Sequence, residues 1–149
     1  MAERRRLEAA RRLGVVQRAQ QAGAEADLGI ARQEEHDARR REQEAQRRTE
    51  AAHGDWLQLL AAPGFAPEYV RGLAGRVVER EAAEAECAAC TRQATDAADE
   101  REKEWRLRSA QVKGAERFVR RLTRKLARDD EERRLAAAAD LTTYRWSRA

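Results

Sequence analysis

Apolar positions in the second half of the chain recur every seven residues. One series runs Val70, Val77, Glu84, Thr91, Ala98, Trp105, Val112, Val119 and Leu126. A companion series runs Leu73, Arg80, Cys87, Ala94, Arg101, Arg108, Ala115 and Leu122. The first half carries Ala24, Ala31, Ala38, Ala45, Ala52 and Leu59, with Leu28, Glu35, Glu42, Thr49 and Trp56 beside them. A sustained seven-residue period predicts helices that supercoil left-handedly about each other. Both seams weaken in their middle. Alanines let helices approach closely but bury little area, and burial is worth roughly 25 cal/mol per Å². The pattern therefore predicts a marginal rod, softest near its middle.

Pro63 and Pro67 are the only prolines, with Gly64, Phe65 and Ala66 between them. Proline removes a backbone donor and drives the preceding residue out of helical geometry. Helix formers fill both flanks. The chain then reads as a single hairpin over residues 1–149, with arm one at about 3–60, a bend at 61–67, arm two at about 67–140 and a tail at 141–149. The expected fold is all-α, a long antiparallel two-helix coiled-coil hairpin with a C-terminal helical overhang. Folding about residue 64 sets Trp56 opposite Gly72 and Leu73, Trp105 opposite Gly23 and Ala24, and Gly14 opposite Gly114. Glycine costs a helix about 1 kcal/mol relative to alanine, so these glycines are expected to be packing notches. A local break at His53-Gly54-Asp55-Trp56 is the alternative there. Met1 falls opposite Ala127, which leaves Arg128 onward without a partner arm.

Composition narrows the function. The 149 residues are 39% charged and only 5% aromatic, a balance that marks long helices or coiled coils rather than a globular core. High helix propensity throughout argues against a disordered charged chain. No run approaches the ~20 apolar residues of a membrane span. The basic start Arg4-Arg5-Arg6 lacks the apolar run of a signal peptide, so a cytoplasmic location is expected. Cys87 and Cys90 form a CxxC pair, but a structural zinc takes about four ligands, and His36 and His53 lie on the other arm. The pair is expected to be two reduced helix thiols. No glycine-rich phosphate loop or nucleophile–base pair is legible. Neither enzymatic activity nor a cofactor or metal is expected.

Charge is unevenly placed. Residues 101–128 hold eleven Lys or Arg against three acids, and residues 61–100 hold four Arg against eight acids. The terminal end is therefore basic and the bend end acidic. Arg117, Arg120, Arg121, Arg124, Lys125 and Arg128 crowd the basic stretch. Beyond them Leu135, Ala138, Ala139, Thr142 and Trp146 form one helical stripe with no arm to cover it, which points to an external partner, a frayed end folding back on arm one being the alternative. At the other end Trp56, Leu59, Leu60, Phe65 and Tyr69 are expected to form a partly exposed cluster. The basic stretch fits nucleic acid or a protein surface of opposite charge. Absence of a base-reading motif, and placement on an arm that must pair, argue against nucleic acid.

In its Arg/Glu/Ala-rich opening Arg4-Arg5-Arg6-Leu7-Glu8-Ala9-Ala10-Arg11-Arg12, its single bend and its longer basic second arm, the whole chain resembles the FliJ/YscO-type central stalk proteins of flagellar and injectisome type III secretion systems. The resemblance implies a non-enzymatic antiparallel coiled coil, peripheral to the secretion apparatus at the inner membrane. It further implies a basic end seated in the hexameric secretion ATPase, a bend end reaching the cytoplasmic ring of the export gate, and contact with export chaperones. The tail Leu141-Thr142-Thr143-Tyr144-Arg145-Trp146 matches no family-wide motif. A nucleic-acid-binding coiled coil and a plain structural scaffold are the alternatives from other classes.

Overall fold

The computed structural model describes residues 2–64 and 66–146, with side chains at all of these except 2 and 142–145. The fold is all-α, with α1 at Ala2–Ala61 and α2 at Pro67–Trp146, and among the described residues there is no strand. The two long helices form a helical hairpin. The break is built as its residue types require. Ala62 N donates to Leu59 O at 3.2 Å in the last turn of α1. Gly64 follows at φ 80°, a left-handed conformation that side chains resist. Pro67 then opens α2, where its missing N–H costs nothing. Ala66 O accepts the first bonds of α2, from Tyr69 N at 3.1 Å and Val70 N at 3.4 Å.

The chain divides into a terminal unit, Met1–Ala24 with Trp105–Ala149, and a bend unit, Glu25–Glu104. Within each, α1 and α2 run antiparallel. In the terminal unit Glu3 meets Lys125, Gln20 meets Arg108 and Gln21 meets Ser109. In the bend unit Arg32 meets Glu102, Glu35 meets Thr95 and His53 meets Glu81. The sequence separations fall from 122 residues to 28 toward the break. The midpoints of these pairs lie at residues 64 to 67, so the expected centre at residue 64 is right to within three positions.

Buried residues sit where the seven-residue series put them. They are Ala24, Leu28, Ala31, Ala38, Thr49, Ala98 and Val112, with Ala10 two steps of seven before Ala24 in the alanine series. Ala38 is the most enclosed, at 3% exposure. Thr49 and Thr91 satisfy their hydroxyls by donating to the carbonyls one turn back, Ala45 O and Cys87 O, both at 3.1 Å.

Several expectations need correction. The α2 seam is wider than two series. Arg80 and Arg101 are exposed, while Ala88, Thr95, Glu102 and Ser109 are half-buried. Glu81, Thr95, Glu102, Ser109 and Asp130, spaced in multiples of seven, make cross-helix polar contacts to His53, Glu35, Arg32, Gln21 and Arg4. The overhang does not begin at Arg128, because Asp130 still reaches Arg4 at 3.6 Å. All described side chains from Glu131 onward are exposed. Residues 141–146 continue α2 instead of forming a separate tail. α1 passes unbroken through His53 and Gly54. Nor are the glycines notches: a Cβ built at Gly14, Gly23, Gly72 or Gly114 meets nothing within 4 Å.

Candidate docking surfaces

The terminal unit holds nineteen Lys or Arg and eight Asp or Glu, a net +11. The bend unit holds twelve and nineteen, a net −7, which together give the chain's +4. The basic end of the sequence reading is thus more basic than arm two alone implied. α1 adds Arg4, Arg5, Arg6, Arg11, Arg12 and Arg18 to it.

The six basic residues singled out on α2 do not act alike. Lys125 reaches across to Glu3, and Arg120 pairs with Glu116 on its own helix at 3.5 Å. The hydrogen bond from Lys125 lowers the Glu3 pKa, and the same bond raises that of Lys125. Their charges serve the hairpin more than a partner. Arg117, Arg121, Arg124 and Arg128 follow at steps of four, three and four, so they share one face of α2. All four are exposed and make no ion pair among the described residues. Beyond them Leu135, Ala138 and Ala139 are exposed, and Trp146 is 87% exposed. The side chain of Thr142 lies outside those described.

At the bend the expected cluster is only partly assembled. Trp56 and Leu59 are half-buried on the seam of α1. Leu60 is exposed, and Tyr69 is 71% exposed. Phe65 lies outside the described residues. Tyr69 lines a shallow depression with Glu68, Gly72, Leu73 and Arg76, all from the first turns of α2, and neither Trp56 nor Leu59 contributes to it. Leu57, also exposed, was not singled out by the sequence.

Sequence reasoning missed a groove in the terminal unit. It has a volume of about 490 Å³ and is lined by Arg11, Gly14, Val15 and Arg18 of α1 with Ala115, Glu116, Val119 and Arg120 of α2. Its floor is small and aliphatic, and its edges carry three guanidiniums against one carboxylate. The legible signal was the run Leu13-Gly14-Val15-Val16. Four consecutive apolar residues on a helix cannot all face one seam, and Leu13, Val15 and Val16 are exposed.

Cys87 is half-buried and Cys90 exposed, both as free thiols. Among the described residues no cluster of His, Cys, Asp and Glu could hold a metal ion, and no helix is long and apolar enough to cross a membrane. Comparison with models of known families, with curated proteins and with solved structures finds no match.

Proposed function

We propose that the chain is a non-enzymatic central stalk of a type III secretion export apparatus, coupling the hexameric secretion ATPase to the export gate. The observation that carries this reading is the charge division of an all-α hairpin. A terminal unit at +11 bears an unpaired arginine face, Arg117, Arg121, Arg124 and Arg128, and leads into an exposed stripe ending in Trp146. An arginine face steers a rod end into an acidic channel, an attraction that weakens with salt. The apolar stripe then supplies contact energy once water is excluded, with Trp146 as its anchor. The resemblance to FliJ/YscO-type stalks supports the same orientation. In it the acidic bend end, through Tyr69, Leu60 and Phe65, faces the gate ring, export chaperones are further contacts, and the stalk works in the cytoplasm at the inner membrane.

Removing residues 131–149 tests the assignment. Among the described residues the last cross-helix ion pair is at Asp130, so the hairpin should keep its helicity by circular dichroism. Binding to the secretion ATPase and stimulation of ATP hydrolysis should fall sharply. A second variant, with Arg117, Arg121, Arg124 and Arg128 all changed to Ser, should lose binding mainly at low salt. Normal activation by both variants would refute the reading. Tight, salt-resistant binding to nucleic acid with none to the ATPase would favour the nucleic-acid alternative, for which the same arginine face is the supporting feature.

A further inference from the structure

The groove of the terminal unit has a counterpart in the bend unit. On α1, Arg11 and Arg18 stand seven residues apart, about 10.5 Å along the helix, with Val15 between them in the groove floor at 58% exposure. Also on α1, Asp27 and Glu34 stand seven residues apart with Ile30 between them, 61% exposed. Ile30 itself lines a smaller depression, of about 250 Å³, with Ala31, Ala97 and Arg101, and has a carboxylate about one turn away on either side along α1. Val15 lies in a trough with a guanidinium about one turn away on either side. Gly14 and Ala115 keep the trough shallow enough for another helix to approach, since a Cβ at Gly14 would meet nothing within 4 Å.

We infer that the groove receives the Ile30 segment of a second copy of this chain. In an antiparallel docking Arg11 meets Glu34, Val15 meets Ile30 and Arg18 meets Asp27, three matches that share one register. The partner units carry opposite net charge, +11 against −7. Arg11, Arg18 and Glu34 make no ion pair among the described residues. Asp27 has only a long contact, 3.9 Å, to Arg101. Docking therefore brings together charges that are otherwise solvated. Charge pairing sets register and partner choice, and the Val15–Ile30 contact supplies the apolar burial. The paired positions sum to 45 on one and the same helix, so the register is self-complementary and reads the same from either copy. The inference does not depend on the secretion assignment and goes beyond it.

The test uses the full chain in sedimentation velocity at low and high salt. The wild type should self-associate with concentration, and less so at high salt. R11E/R18E should weaken association at least about tenfold, as should D27R/E34R. The fourfold swap R11E/R18E/D27R/E34R should restore it, a result that general loss of structure would not give. Each double variant alone should associate poorly, because its two faces carry like charge, and mixing the two should restore association, because every acidic face then meets a basic one. In a chain with Cys87 and Cys90 changed to Ala, V15C/I30C should form a disulfide between chains, since about 22 Å of helix separates those positions within one chain. The inference is overturned if the wild type stays monomeric at about 1 mM. It is equally overturned if the fourfold swap fails to rescue, or if Val15 variants abolish association while Ile30 variants do not.

Discussion

Replacing helical glycines with alanine should stabilise this protein, and the effect can be worked out position by position. Gly23, Gly54 and Gly114 lie inside long helices, none at positive φ, and a Cβ at each meets open space. Alanine there gains helix propensity of about 0.8–1.0 kcal/mol per site with no packing penalty. The three sites are remote from one another in sequence, so the effects should add to about 2.5–3 kcal/mol. For a chain of this size each substitution should raise the melting temperature by about 2–4 °C. Thermal and urea unfolding followed by circular dichroism at 222 nm measures this. Gly64→Ala is the control of opposite sign. Its Cβ also meets nothing, but at φ 80° the backbone strain alone should cost about 1–2 kcal/mol. If Gly23→Ala destabilised the chain, Trp105 would have to occupy a notch at Gly23 after all, and the reasoning would fail. The same holds for Gly72→Ala and Trp56.

Other expectations concern single interactions. Gln17 sits on the alanine seam with its Oε1 buried and lacking a hydrogen-bond partner among the described residues. Gln17→Leu should stabilise by about 1–2 kcal/mol in urea titrations, and a loss of stability would show that the amide is satisfied. The clasp between Glu3 and Lys125 depends on pH at both ends. The Glu3 pKa is lowered, so its contribution is present above the ordinary carboxylate value and is lost as pH falls through the folded value. The Lys125 pKa is raised, so its contribution is present below the ordinary lysine value and is lost as pH rises through the folded one. Hydrogen exchange near residue 3 should speed up at both extremes in the wild type, and Glu3→Gln should remove the acid limb. Cysteines at Ala24 and Trp105, in a chain lacking Cys87 and Cys90, should crosslink within one chain. Crosslinks formed only between chains would mean a parallel dimer instead of a hairpin.

Much of the fold was readable in one dimension because it rests on local chemistry. Helix formers on both flanks and two prolines four residues apart determine two helices and one break. The seven-residue series determine which residues face the seam, and Ala24, Leu28, Ala31, Ala38, Ala98 and Val112 are buried accordingly. An alanine seam, however, looks nearly the same after a slip of one heptad, so it cannot set the pairing register to the residue. Tertiary structure decided that through polar contacts on the flank, from Glu81, Thr95, Glu102, Ser109 and Asp130 to partners distant in sequence. Register in turn decided which charges are spent and which remain for a partner. Lys125 and Arg120 are engaged, while Arg117, Arg121, Arg124 and Arg128 are not. It also decided that the glycines face open space and that Gly14, Val15, Ala115 and Val119 share one groove floor. These are relations between residues about a hundred positions apart. No local propensity encodes them, because each depends on where the opposite helix places its side chains.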